Sequence, residues 1–456
     1  MSATFYITTP IYYVNDKPHI GHAYTTILAD VLARFYRNSN QETYFLTGLD
    51  EHGQKVQQAA EERGVNPQKH CDEMAPRFTD LWEKLHISHD DFIRTTEDRH
   101  KKVVRDILQQ VMDKGDIYEA EYEGLYSVSE ERFITEKEAE TGDFRDIKKL
   151  KEKNYFFKMS KYQQALIDHI ESNPTFIQPE HRKNEILGFL KKPLNDLCIS
   201  RPKSRLNWGI ELPFDSDYVT YVWFDALINY ITSPGFSTNE KSFNKWWPAS
   251  MHLIGKDILT THAVYWPTML MSAGLELPKT IFAHGWWLMG ESKMSKSLGN
   301  VINPMDLIDD YGVDPVRYYL MREMVLGQDS SFTMESFIQR YNSDLANDFG
   351  NLLSRVSTLM KKNYDGKIPN HGELTDVEKA IKSNGESLAE LVKDKIESMR
   401  LNEAIEEIMQ YVRSVNKYME DNAPWKLVKE DKDAAGRVLY TAGEALRISA
   451  VLLSPV

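Results

Sequence analysis

Cysteine is almost missing from this sequence: among 456 residues only Cys71 and Cys198 occur. Two thiols so far apart build neither a disulfide framework nor a cysteine-based structural zinc site. Both are expected to be buried small hydrophobes. No uninterrupted apolar run is long enough to span a bilayer, so no membrane role is expected. The start, Met1-Ser2-Ala3-Thr4, passes directly into Phe5-Tyr6-Ile7-Thr8, without the basic and apolar blocks of a signal peptide or an Arg-rich transit segment. A cytoplasmic location is expected. Positive charge is in deficit, with a formal net charge of −13. That argues against a general nucleic-acid coat, whose affinity comes from neutralising phosphates, but not against an enzyme that must release its RNA. Internal repeats and low-complexity tracts are absent as well.

The length exceeds what one ordinary core organises, so several domains are expected. Phe5-Tyr6-Ile7-Thr8 reads as a strand, and Tyr24, Ile27, Leu28, Val31, Leu32 and Phe35 fall at helical spacing. Tyr44-Phe45-Leu46-Thr47 then ends in Gly48, completing the strand-loop-helix-strand pattern of a parallel α/β unit. Met251-His252-Leu253-Ile254 and Thr280-Ile281-Phe282-Ala283 repeat the buried-strand signature, running into Gly255 and toward Gly285. The charged, turn-rich stretch from about Gly115 to Glu211 reads as an insertion between two halves of the sheet. After about Phe349 strand signals stop. Leu401, Ile405, Ile408, Val412, Val415 and Met419 form a stripe on a long amphipathic helix of a terminal bundle. The apolar run from Ala445 to Val456 lacks a cap, which reads as a chain cut short at its C-terminus.

Two motifs carry chemistry. Pro18-His19-Ile20-Gly21-His22 lies between the first strand and its helix. There His19 and His22 would share one side, next to the free N–H groups of the helix start. Imidazoles and backbone N–H groups together suit phosphate, and Gly21 removes a Cβ where a nucleotide could come close. Lys293-Met294-Ser295-Lys296-Ser297-Leu298-Gly299-Asn300 follows the strand at Thr280 to Ala283, in a loop whose lysines can reach phosphates. Singly, each could be a solvated surface loop. Their order at two strand ends leaves that reading little room.

These residues resemble the "HIGH" and "KMSKS" signatures of class I aminoacyl-tRNA synthetases, with every letter of both matched. The resemblance implies an α/β fold: a Rossmann-like parallel-sheet catalytic domain, an inserted connective domain and a helical bundle. On it we expect residues 1–114 and 212–290 to be the catalytic halves and 115–211 the insertion. Residues 291–348 would be the second motif loop with a linking stem, and 349–456 the anticodon-binding domain. It also implies ATP as substrate, Mg²⁺ carried on the nucleotide, and positioned cations rather than acid–base groups as the means of catalysis. His19, His22, Lys293 and Lys296 would be the catalytic set.

Thr8-Thr9-Pro10-Ile11-Tyr12-Tyr13-Val14-Asn15 and Thr47-Gly48-Leu49-Asp50-Glu51-His52-Gly53 are similar to the methionyl-tRNA synthetase versions of these loops. So are the segments from Tyr221 to Tyr230 and from Gly255 to His262. The likeness implies that Asp50 binds the substrate ammonium. It assigns the methionine pocket to Ile11, Tyr13, Trp223, Ala226, Tyr230, Ile258 and His262. Gly255 and Asp257 would join His19, Gly21, His22 and the two lysines around ATP. In the bundle, Asn351, Arg355 and Trp425 would read the tRNA anticodon, while the insertion guides the acceptor end. Ser127 stands where a first cysteine of a zinc knuckle would sit, so no zinc is expected and the insertion should be held by its own packing. A homodimer is expected only through a C-terminal extension. Rival readings are another class I synthetase, a small-molecule nucleotidyltransferase sharing the histidine loop, and a catalytically inactive tRNA-binding relative.

Overall fold

The computed structural model describes residues 4–14, 17–127, 132–134, 139–140, 147–289, 292–293 and 302–456. The chain folds as two compact units: residues 1–18, 36–83 and 87–283 in one, residues 19–35, 84–86 and 284–456 in the other.

The first unit is built on a six-stranded sheet in the order Asp91–Arg94, Thr43–Asp50, Phe5–Tyr13, Met251–Gly255, Ile281–His284, Ile177–Gln178. Phe5–Tyr13 pairs in parallel with Thr43–Asp50 on one side and Met251–Gly255 on the other. Strand order therefore reverses on either side of Phe5–Tyr13, the place where open α/β sheets open a crevice at their carboxyl ends. Most of the strand residues here are apolar and fully buried, as expected for a parallel sheet covered on both faces. Gly48 is required by this packing, because a Cβ there would lie 2.1 Å from the carbonyl oxygen of Ile93 on the adjacent strand.

Within 115–211 an antiparallel sheet runs in the order Arg132–Ile134, Ile117–Ser127, Ile147–Phe157, Leu197–Cys198. Its core is not separate. Phe157, Leu166, Ile170, Phe176 and Ile186 belong to one continuous apolar cluster with Ile93, Val103, Ile107 and Tyr230. Ile177–Gln178, from the same stretch, supplies the edge strand of the main sheet. Packing shared with the sheet, rather than packing of its own, holds this segment.

The second unit is mainly helical. Helix Ile20–Asn38 contributes Asp30, which is fully buried and accepts from Arg34 and Arg317, each at 2.7 Å. Arg317 also donates to the carbonyls of Leu85, Pro455 and Val456. Four long helices follow, Asn351–Asn363, Asp376–Glu397, Leu401–Asn422 and Lys432–Leu453. The stripe Leu401, Ile405, Ile408, Val412, Val415 and Met419 is buried throughout. Thr375 and Glu378 form a capping box at the start of Asp376–Glu397. The buried Glu378 carboxylate further accepts from Tyr418 Oη at 2.9 Å. Among the described residues no helix is long and apolar enough to cross a membrane.

Candidate active site

At the carboxyl end of the first unit's sheet, Tyr13 and Asp50 are paired neighbours on adjacent strands. Asp50 is buried, and its charge is one of the groups that raise the Tyr230 hydroxyl above its ordinary pKa, after desolvation. Ile11, Tyr13, Trp223 and Ile258 are half-buried, whereas Ala226, Tyr230 and His262 are buried. That division suits a pocket with an apolar rim and a closed floor.

The floor is a hydrogen-bonded chain. His262 Nδ1 lies 2.9 Å from the Ile258 carbonyl, which can only accept, so the ring proton sits on Nδ1. Nε2 is then an acceptor, and the Tyr230 hydroxyl donates to it at 2.8 Å. Tyr230's own carbonyl takes the Tyr6 hydroxyl at 2.8 Å. Behind it, Trp266 Nε1 donates to His252 Nε2 at 3.1 Å, which leaves His252 Nδ1 to donate to Thr8 Oγ1 at 2.8 Å. Desolvation pushes His252 well below the usual imidazole range. It brings His262 down to about 4.

The sign of the resulting pH dependence follows from linkage. Between pH 6.5 and about 4 the unfolded chain binds a proton that folded His262 refuses, so stability is full above 6.5 and falls as pH drops toward 4. The loss from this residue approaches about 3 kcal/mol. Thermal unfolding from pH 7.5 to 4.5 is therefore expected to show a shallower pH slope in His262→Gln than in the parent chain. Identical slopes would remove His262 from this account.

Gly255 ends the strand Met251–Gly255, and Asp257 follows, exposed, on a short 3-10 turn, Lys256–Ile258. Thr261 and His262 lie in a five-residue π-helical stretch, Thr261–Tyr265. Thr261 Oγ1 donates to the same Ile258 carbonyl at 2.8 Å.

In the second unit, the histidine loop forms the start of helix Ile20–Asn38. The two rings stack with centroids 3.9 Å apart. Gly21 N–H donates to His19 Nδ1 at 3.0 Å and His19 N–H donates to His22 Nδ1 at 3.2 Å. Each imidazole thus caps an orphan N–H of the helix start and, when neutral, carries its own proton on Nε2. The room left by Gly21 is filled by the His19 ring: a Cβ there would lie 2.9 Å from His19 Cε1. Lys293 is described in backbone only, paired with Leu288. Lys296 lies outside the described residues.

A polar cleft of about 360 Å³ in the helical region is lined by Asn347, Asp348, Asn351, Ser354, Arg355, Asn416 and Glu420. The structure brings Asn351 and Arg355 together there. Arg355 Nη2 donates to Asn416 Oδ1 at 2.5 Å, Asn416 Nδ2 donates to the Asp348 carbonyl at 2.8 Å, and Arg355 Nε is buried with no hydrogen-bond partner. Trp425 is not part of that lining. It is 38% exposed on the short helix Pro424–Leu427, entered through Ala423 in a left-handed conformation. A larger groove of about 560 Å³, between helices Asp376–Glu397 and Lys432–Leu453, holds none of the residues chosen from sequence. Sequence reasoning missed Asn416, which carries no motif signal, and the buried trio His52, His100 and Asp225. Two members of that trio lay inside segments quoted above.

The family model described as tRNA synthetases class I (M) matches residues 5–143 and 144–357. The model described as the anticodon binding domain of methionyl tRNA ligase matches residues 368–456. A "Methionine--tRNA ligase" of Clostridium tetani is 48% identical over 99% of this chain and 71% of its own length. The Bacillus subtilis protein of that name is 46% identical over the same shares. The solved Mycobacterium tuberculosis methionyl-tRNA synthetase in complex with methionyl-adenylate is 42% identical, with a TM-score of 0.96 over 100% of this chain and 92% of that one. The chain belongs to the methionine--tRNA ligase family of class I aminoacyl-tRNA synthetases.

Proposed function

We propose that this chain joins L-methionine to ATP, forming methionyl-adenylate and pyrophosphate, and then transfers the methionyl group to the 3′ end of a methionine tRNA. What supports this reading is the group of side chains at the strand ends. It combines one buried carboxylate with an apolar wall whose polar floor is satisfied internally, Tyr230 to His262 to the Ile258 carbonyl. The Tyr230 O–H and the His262 Nδ1–H are both committed, so a side chain bearing a strong acceptor finds no donor on that floor, whereas a polarisable thioether needs none.

Asp50 takes the substrate ammonium, and Ile11, Tyr13, Trp223, Ala226, Tyr230, Ile258 and His262 enclose the side chain. The substrate carboxylate attacks the α-phosphorus and the bond to pyrophosphate breaks. His19 and His22 donate to phosphate oxygens, Gly255 and Asp257 face the nucleotide, and Lys293 and Lys296 stabilise the charge that builds during transfer. Mg²⁺ enters on the phosphates of ATP. A tRNA ribose hydroxyl then attacks the activated carbonyl and AMP leaves. Asn351 and Arg355 offer hydrogen bonds to anticodon base edges, the unpartnered Arg355 Nε–H among them, and the half-exposed Trp425 offers a stacking face. The cytoplasm, where charged tRNA is used, is the compartment that fits this role.

ATP–pyrophosphate exchange with each of the twenty amino acids tests the reading, and methionine alone is expected to support it. Exchange with a different amino acid would overturn the pocket assignment, and none at all would overturn the activity. Trp425→Ala is expected to lower tRNA aminoacylation by about tenfold or more with exchange unchanged, since stacked bases contribute about 1–3 kcal/mol each. Equal loss of exchange would make Trp425 structural.

A further inference from the structure

Inside the first unit, Asp225 is 1% exposed and gripped on both carboxylate oxygens. His52 Nδ1 donates to Oδ2 at 2.6 Å, and His100 Nε2 donates to Oδ1 at 2.7 Å. The three residues come from three places. His52 stands two residues after Asp50, His100 is in helix Asp98–Asp113, and Asp225 is in the single-turn helix Val222–Ala226 between Trp223 and Ala226. Burial alone would push the Asp225 carboxyl up, but the two imidazoles more than offset it and hold the group at about 2.

One helical turn is too short to hold its own shape, so something outside it must fix Trp223 and Ala226. A buried ion cluster is a poor means of stability, because well-packed apolar residues of similar volume would serve as well or better. What it supplies is geometry, since both histidine tautomers and both oxygens are specified. The ties extend to the other side of the pocket. Glu51, between Asp50 and His52, is buried; its N–H donates to Thr95 Oγ1 at 2.9 Å, and its carboxylate accepts from Arg94 at 2.7 Å and from Thr96. Trp208 Nε1 donates to the Glu51 carbonyl at 2.5 Å, and the Trp208 ring lies 5.4 Å from that of His52.

We propose that Asp225 is a positioning residue for amino-acid recognition, clamped by His52 and His100 so that the Trp223 and Ala226 wall keeps its place relative to the segment carrying Asp50. The proposal rests on the methionine reading of that pocket. It sets the spacing between the group that holds the ammonium and the wall that holds the side chain, without Asp225 touching substrate.

The test is steady-state exchange kinetics on the full chain with methionine and ATP varied separately. Asp225→Asn places an NH₂ or a weaker neutral acceptor against two N–H donors. It is expected to raise the methionine KM by about tenfold or more while the ATP KM stays within about twofold, as for misplacement of one wall by an ångström or less. His52→Ala and His100→Ala should shift the same way. His52→Asn, whose amide nitrogen stands where Nδ1 was, and His100→Gln, whose amide reaches the Nε2 position, should recover the parent value to within about twofold. An unchanged methionine KM in Asp225→Asn overturns the proposal. Asn and Gln replacements no better than alanine also overturn it, as do parallel losses in both KM values with a lower melting temperature. If Asp225→Asn does not fold, the paired histidine variants decide the matter alone. If the parent exchanges with an amino acid other than methionine, the methionine reading fails, and the clamp stands or falls on that amino acid's KM in the same variants.

Discussion

Asp50→Asn is expected to raise the methionine KM by about a hundredfold to a thousandfold and to leave the ATP KM nearly unchanged. The side chain is 3% exposed at the carboxyl end of its strand, so any charge it meets is held largely out of water. Losing one member of a buried, hydrogen-bonded charge pair costs about 2–5 kcal/mol, much of it the penalty for the partner left alone, and in the proposed function that partner is the substrate ammonium. The replacement keeps the shape, so lost packing cannot account for the change. A methionine analogue lacking the amino group isolates the cause: the parent should discriminate strongly against it, and the variant should hardly discriminate at all. Equal discrimination in both would take the ammonium away from Asp50.

On the proposed role of Lys296, Lys296→Ala is expected to carry the other large effect, on rate. A cation that engages the α-phosphoryl group only as charge builds stabilises the transition state and not the ground state, so kcat falls with little change in methionine affinity. Removing one such electrostatic contact costs about a hundredfold to a thousandfold. Single-turnover adenylate formation measures it directly, with bound methionine titrated separately. Proportional losses in rate and in methionine binding would mean that the lysine shapes the pocket instead.

Much of the catalytic fold is legible in sequence, because parallel strands announce themselves as short apolar runs ending in glycine. Tyr44 to Thr47, Met251 to Ile254 and Thr280 to Ala283 were read that way and lie in or overlap observed strands; Phe5 to Thr8 was read as a strand without a glycine after it, and the helical stripe from Leu401 to Met419 by its period. Ile177–Gln178 could not be found, since two residues are too few to show a period and they sit inside a charged insertion. The shared core was hidden for a related reason: periodicity shows which face is buried, not what it is buried against. At the site, the motifs singled out Tyr230 and His262, which the structure joins by a hydrogen bond. His100 went unseen because its only distinction is a contact with Asp225, 125 residues away. At Gly21 the sequence reading left the missing Cβ to a nucleotide, whereas the occupant of the space in the structure, the His19 ring, depends on a side-chain rotation that no sequence pattern records.

The threading of the main sheet has a consequence for the order in which the chain becomes native. Ile7 is registered against Met251, and Ile281 against Ile177, so both halves of the sheet depend on pairings between segments far apart in sequence. A ribosome releasing the chain from its N-terminus exposes the first strand, with its apolar faces, long before the neighbour that will cover one edge has been made. Contacts of such long range are slow to form and leave partly folded material open to association meanwhile. Circular permutants opened in the surface turn at Gly235 to Asn239 would bring Met251–Gly255 out of the ribosome before Phe5–Tyr13, and would reverse which edge of the sheet waits.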